Sequence, residues 1–201
     1  MNDLDALRTR FPAAGELPAW AAQATQPVFG EGPPGAALML VGEQPGDEED
    51  RAGRPFVGPA GRLLDRLLDR ASVPRRDTYV TNAVKHFKFT QAGKRRLHQP
   101  PNAGDIAHYK PFLRAEVALV APRLVLALGA TALRALAGKA LPVGRSRGLT
   151  LRTEDGVRLR VTVHPSALLR LREPEAREVE QARCVEDLRA AYAEATGKNS
   201  D

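Results

Sequence analysis

A chain of 201 residues is long enough to bury a substantial core, and 30 Lys+Arg against 24 Asp+Glu leave a net charge of +6. That balance suits a polyanionic partner, nucleic acid first, although a soluble protein rich in Arg and Ala carries the same surplus. Cys184 is the lone cysteine, which excludes an internal disulfide, a cysteine-based zinc site and a cysteine framework for an iron–sulfur cluster. No apolar stretch reaches the length of a membrane span. The opening residues Met1–Arg8 lack the basic-then-apolar order of a signal peptide, so the cytoplasm is the expected compartment.

Residues 1–36 are rich in Ala, Pro and Gly. They read as a short helix near Asp3–Arg10 followed by an irregular cover. The apolar run Ala37–Val41 has the form of a buried parallel strand. A rigid Gly/Pro loop follows, and Pro59 opens a helix to about Ala71 with Leu63, Leu64, Leu67 and Leu68 on one face. Thr78–Val84 is a β-branched strand, and Lys85–Pro101 reads as a long basic loop. Asn102 caps a helix over Ala103–Val120. Leu124–Leu128 is a third buried strand, turned by Gly129 into a helix over Ala130–Ala137. Leu149–Thr153 and Val157–Val163 flank Glu154-Asp155-Gly156, a hairpin signal. A last helix spans about Pro174–Ala195, and residues 196–201 form a loose tail. The alternation predicts one three-layer α/β/α domain over 1–201, with a central, mainly parallel four-stranded sheet.

Three of these strands end in polar chemistry: Glu43 and Gln44, Asn82, and His164. In an open α/β sheet the carboxyl ends of parallel strands share an edge, where ligands bind. Phe56 adds a ring to the loop after Glu43, among Gly53, Pro55, Gly58, Pro59 and Gly61. A carboxylate, stiff turns and one ring describe a pocket for a flat, polar molecule. The Asn82 amide can read a nucleobase edge or simply cap a turn. His164, held extended by Pro165, can donate to an oxygen gaining charge or pack as an ordinary core histidine. Lys94-Arg-Arg-Leu-His98 follows Phe87 and Phe89. The basic residues suit phosphates, the rings suit base stacking, and His98 can act as a base or a nucleophile; a solvated loop is the plain alternative. Most of Asp47–Asp50 reads as a solvated face or as helix-start charge. No phosphate-loop, His-Glu-x2-His or Cys-x2-Cys pattern occurs.

Together these residues resemble the uracil-DNA glycosylase superfamily. Gly42-Glu-Gln-Pro-Gly46 with Glu49-Asp50 and Gly53-x-Pro-Phe-Val-Gly-Pro-Ala-Gly61 is similar to the first motif of the family 4 enzymes, and His164-Pro-Ser166 to their second. Gln44 in place of the usual Ala, and Gly93-Lys-Arg-Arg-Leu-His98, resemble the uracil-DNA cross-linking branch, UdgX. The resemblance implies catalytic roles for Glu43, His98 and His164. It implies substrate binding by Gln44, Gly46, Asp50, Phe56, Asn82 and Ser166, and DNA binding by Lys94, Arg95 and Arg96. It further implies that uracil is excised from single-stranded or double-stranded DNA and that His98 then bonds covalently to the sugar, in a single turnover. Two rivals stay open: a turnover glycosylase using water, and a non-catalytic binder of uracil-containing or single-stranded DNA. A monomer acting at the bacterial nucleoid is expected. The resemblance also implies a [4Fe–4S] cluster, but its cysteine positions fall near Gly15, Pro18 and Tyr109, with His86 at the remaining one. No cofactor and no metal is therefore expected, with Trp20 and Tyr109 filling the space.

Overall fold

Helices and strands alternate through the computed structural model, which describes residues 3–11 and 16–197. The position near Gly15 and the tail beyond Gly197 lie outside the described residues. The elements run α1 (Asp3–Thr9), β1 (Leu38–Gly42), α2 (Asp47–Ala52), α3 (Pro59–Arg70), β2 (Thr78–Asn82), β3 (Phe89–Ala92), β4 (Arg95–His98) and α4 (Ala103–Val120). They continue with β5 (Leu124–Leu128), α5 (Ala130–Ala137), α6 (Val143–Ser146), β6 (Leu151–Arg152), β7 (Arg158–Thr162), α7 (Pro165–Arg170) and α8 (Pro174–Thr196).

The main sheet has the order β2-β1-β5-β7-β6, parallel except for β6. Five strands replace the expected four, because the hairpin arm before Gly156 pairs through only Leu151 and Arg152 and adds a short antiparallel edge. Side chains alternate across the pleat, so each central strand feeds two cores. Leu38 and Leu40 of β1 join Leu63, Leu64, Leu67 and Leu68 of α3 and Leu188 of α8 on one face. Met39 and Val41 join Leu113 and Val117 of α4 and Leu133 and Leu136 of α5 on the other. These leucines are at most 5 % exposed, and each contributes about 1.5–3 kcal/mol by leaving water. This is the expected three-layer arrangement.

Local rules set the element ends. Pro59 occupies the first turn of α3, where its missing N–H costs nothing. Asn102 and Asp105 cap α4 reciprocally at 2.9 and 2.8 Å. β2 stops at Asn82 rather than Val84, yet the Ala83 and Val84 N–H groups still donate to the Gly42 and Glu43 carbonyls at 2.9 and 3.0 Å. The ends of β1 and β2 are thereby stitched together.

Three expectations give way. The basic loop is an antiparallel hairpin, β3 with β4, pairing Phe89 with His98 and turning at Gly93 with φ 58°. Its strands, largely exposed and polar in β3 and basic in β4, lack the apolar alternation that marks a half-buried strand. The N-terminal cover contains a short 3-10 helix, Ala19–Gln23, and a bridge from Glu31 to Val80. The acidic run opens α2, as helix-start charge, but it is not a solvated face throughout: Glu49 and Asp50 are buried. Among the described residues no helix is long and apolar enough to cross a membrane.

Candidate active site

The carboxyl ends of β1, β2, β5 and β7 open into a cleft of about 830 Å³. Its walls include Glu43, Phe56, Asn82, His98, Thr131 and His164. Parallel register explains the meeting: Gly42 lies opposite Asn82. A methyl group added at Gly42 would overlap Asn82 Oδ1 and come within 2.7 Å of Phe56 Cζ and 3.4 Å of His164 Nε2. Gly42 is therefore the point around which amide, ring and imidazole converge.

Phe56 is held by its loop rather than by a strand. Its φ of 56° is in the left-handed region, rare for an aromatic residue. Gly61 passes so close that any side chain there would overlap the Phe56 carbonyl. Glu49 fastens the loop from below, accepting from Gly46 N and Gly58 N at 3.0 Å each. The Phe56 ring is nearly buried, at 7 % exposure, with its centroid 6.3 Å from that of His164.

Asn82 is 3 % exposed. Behind it, Lys85 and Glu116 form a buried ion pair, and Lys85 Nζ also donates to the Asn82 carbonyl at 2.6 Å. Glu116 further accepts from Gly30 N, Tyr79 Oη and Thr81 Oγ1, so both buried charges are multiply bonded. The backbone at the amide is thus fixed by the core.

His164 caps α7. Its Nδ1 accepts from Ser166 N at 3.2 Å and lies 2.8 Å from Ser166 Oγ. A backbone N–H can only donate, which assigns the ring proton to Nε2, the nitrogen nearest Gly42. Burial pushes the imidazole down to about 4, so it stays neutral at physiological pH. A neutral Nε2–H at a cleft wall can donate to an oxygen that gains negative charge.

Glu43 has two distinct partners. Its Oε1 lies 3.1 Å from His98 Nε2, and its Oε2 accepts from the Thr131 hydroxyl. Burial, the largest influence, raises the carboxyl, but the His98 and Thr131 hydrogen bonds, together with the charges of His98 and His164, leave it below its ordinary value. Thr131 escapes a reading of motifs. The signal for it is its place: β5 is a central parallel strand, so the first turn of α5 must face the same edge.

The hairpin is held by side chains. Arg96 Nη1 donates to Asp50 at 2.6 Å, its Nε donates to Asp47, and its guanidinium lies 5.3 and 4.9 Å from the Phe87 and Phe89 centroids. Gln44 Nε2 donates to the Lys88 and Gln99 carbonyls at 3.2 and 3.0 Å, while its Oε1 accepts from Lys88 N. These contacts revise two expected roles. Asp50 is fully buried and satisfied by Thr25 and Arg96, so it anchors the hairpin and does not line the cleft. Arg96, with a side chain only 10 % exposed, is committed to those carboxylates rather than free for phosphate. Lys94 and Arg95 remain exposed near the turn. Gln44, Gly46 and Ser166 line the cleft.

The residues around His86 do not fit an iron–sulfur cluster. His86 Nδ1 is 2.8 Å from Tyr109 Oη, and Phe11 packs against the rings of Phe29, His86, Tyr109 and Phe112. Trp20 Nε1 donates to Asp105 at 2.7 Å. Cys184 is buried in the core shared by α3 and α8, on the face of the sheet opposite α4. Among the described residues no group of three or more His, Cys, Asp or Glu could hold a metal ion.

The family model of the uracil DNA glycosylase superfamily matches residues 29–189. The chain is 38 % identical to the type-4 uracil-DNA glycosylase of Thermotoga maritima over 156 residues, 77 % of this chain and 78 % of that protein. It is 38 % identical to the type-4 uracil-DNA glycosylase of Pyrobaculum aerophilum over 150 residues, 71 % and 73 % of the two chains.

Proposed function

This chain belongs to the uracil-DNA glycosylase superfamily, and from that premise we propose that its cleft excises uracil from DNA and captures the resulting sugar on His98. The observation that carries the second half is the 3.1 Å contact between His98 Nε2 and Glu43 at the cleft mouth. An imidazole at this point competes with water through its high effective concentration.

The roles follow from chemistry at each position. Phe56 offers its face to an extruded base, and the Asn82 amide supplies a donor and an acceptor to its edge. As the bond from C1′ to the base nitrogen breaks, its electron pair leaves with the uracil. Nε2–H of His164 donates to the uracil oxygen that takes up this charge. The Glu43 carboxylate faces the positive charge left on the sugar. The His98 imidazole then gives a nitrogen lone pair to C1′ and its ring proton to Glu43, leaving a neutral adduct. Lys94 and Arg95 meet the phosphates. No step uses a metal or a cluster.

A denaturing gel with a uracil-containing oligonucleotide tests this reading. Wild-type protein should give a band shifted by one protein mass. His98→Ser should release uracil without the shift, leaving an alkali-labile abasic site, because water then reaches C1′. Glu43→Gln should slow excision itself by about 100-fold or more, and so reduce both outcomes. Wild-type protein that turns over without an adduct establishes the water-using glycosylase instead. An adduct that survives His98→Ser removes His98 from the mechanism, and an inert wild-type protein leaves only DNA binding.

A further inference from the structure

The two Glu43 oxygens are divided between two elements: Oε1 faces His98 on β4, and Oε2 takes the hydroxyl of Thr131 in the first turn of α5. We propose that Thr131 is a positioning residue whose hydroxyl fixes the Glu43 carboxylate in the orientation that meets His98, and so sets how much excised sugar is captured rather than lost to water. The proposal rests on the reading of His98 as the nucleophile.

Three observations support it. Glu43 follows the last residue of β1 and reaches into an open cleft, so a long, flexible side chain needs a second contact to hold one rotamer. Thr131 is β-branched, which restricts χ1 to few rotamers, and the one it adopts carries its hydroxyl to Glu43 Oε2. Its own place is set by the turn at Gly129, whose φ of 90° sends the chain from β5 straight into α5, and an added side chain there would press on His164 Cβ at 3.1 Å. With Oε2 held by Thr131, Oε1 is left to face His98. Without the hydroxyl the carboxylate can rotate away, leaving the imidazole unoriented while the rest of the cleft stays intact.

The titratable groups facing Glu43 are His98 from β4 and His164 from the cap of α7. The Thr131 bond adds to the His98 bond in holding the carboxyl low. Its removal should therefore be visible in the free protein, without DNA.

Thr131→Val keeps the side-chain shape and deletes the hydroxyl; Thr131→Ser keeps the hydroxyl. Carbon-detected NMR titration of the Glu43 carboxyl should move upward in the Val variant and return toward wild type in Ser. Adduct formation on a uracil oligonucleotide should slow by about 10- to 100-fold in Val, the loss expected for one hydrogen bond to a charged group. Free uracil release should fall less, so the ratio of release to capture rises, and Ser should restore it. A Val variant with wild-type titration and capture overturns the proposal. So does a Ser variant as impaired as Val, which would assign Thr131 to packing. Wild-type protein that forms no adduct sinks the His98 mechanism, whereas the titration still decides whether Thr131 holds Glu43.

Discussion

His164 and His98 both bring an imidazole to the cleft, but different forces hold them. His164 follows a central parallel strand, is fixed through Nδ1 by a backbone N–H, and is kept neutral by burial. His98 ends a two-stranded hairpin, has a side chain 47 % exposed, and depends on Glu43, Gln44 and Arg96 for its place. The sheet-edge histidine cannot move without the fold. The hairpin histidine can be detached one contact at a time. Base excision and the proposed covalent capture should therefore be separable by mutation, with each half failing in its own way.

The largest expected effect falls on the sheet-edge half and is driven by acid. His164 and His86 are both held down to about 4, against 6.5 for a free histidine. Between those values the unfolded chain binds protons at both positions and the folded chain does not, so stability falls as pH drops from 6.5 toward 4. The loss is at most about 3 kcal/mol per histidine. Glu43 works in the same direction at lower pH: its depressed carboxyl contributes stability above 4.5 that disappears as pH falls through its folded value. Urea midpoints measured from pH 7.5 to 4.5 should decline, and His86→Phe should flatten part of the slope by substituting an apolar ring. A flat profile in the wild type would mean that neither ring is kept neutral by the fold.

The next effect breaks the hairpin half. Arg96→Met removes the ion pairs to Asp47 and Asp50 while keeping an apolar stem against Phe87 and Phe89. Each lost charge-assisted bond is worth about 1.5–3 kcal/mol, so adduct formation should slow by about 10- to 100-fold. Uracil release should persist, because Asn82, Phe56 and His164 do not depend on Arg96. A gel scoring adduct and abasic site together checks this. Equal loss of both would show that the two halves are one unit.

The same division decides what the sequence reveals. β1 and β5 are apolar runs and β2 a β-branched one, each between turn signals, and the parallel topology that follows from them predicts that Glu43, Asn82 and His164 meet. Phe56 is legible because its ring is unexpected in a Gly/Pro loop. The hairpin is hidden because its short strands show no apolar alternation, β3 being mostly polar and β4 basic, and its partners lie far off in the chain: Arg96 and Asp50 are 46 residues apart. Charge type alone cannot distinguish an arginine that meets phosphate from one buried between carboxylates, which is why Arg96 and Asp50 change roles. Thr131 has no motif at all; only the strand order places it beside Glu43. Of the aromatic packing around His86, Tyr109 is legible as a ring at an expected ligand position and Trp20 as a ring close to another, whereas Phe11 gives no signal.

The smallest effect concerns the outer surface of the hairpin. Lys94 and Arg95 are exposed beside the turn, and neither belongs to an ion pair of the described residues. That distinguishes them from Arg96 two positions along. If they lie on the DNA backbone, each releases a bound counterion on association, and log affinity falls with log salt by a slope of about one per phosphate contact. Lys94→Ala with Arg95→Ala should therefore reduce the salt slope of oligonucleotide binding by up to about two, with thermal stability unchanged. The reduction should be alike for uracil-containing and undamaged DNA, because phosphates carry no base information. Capture measured at saturating DNA should remain, since His98 is still oriented by Glu43. A salt slope equal to that of the wild type would mean that the hairpin points away from the backbone, and that the phosphate contacts belong to another part of this basic chain.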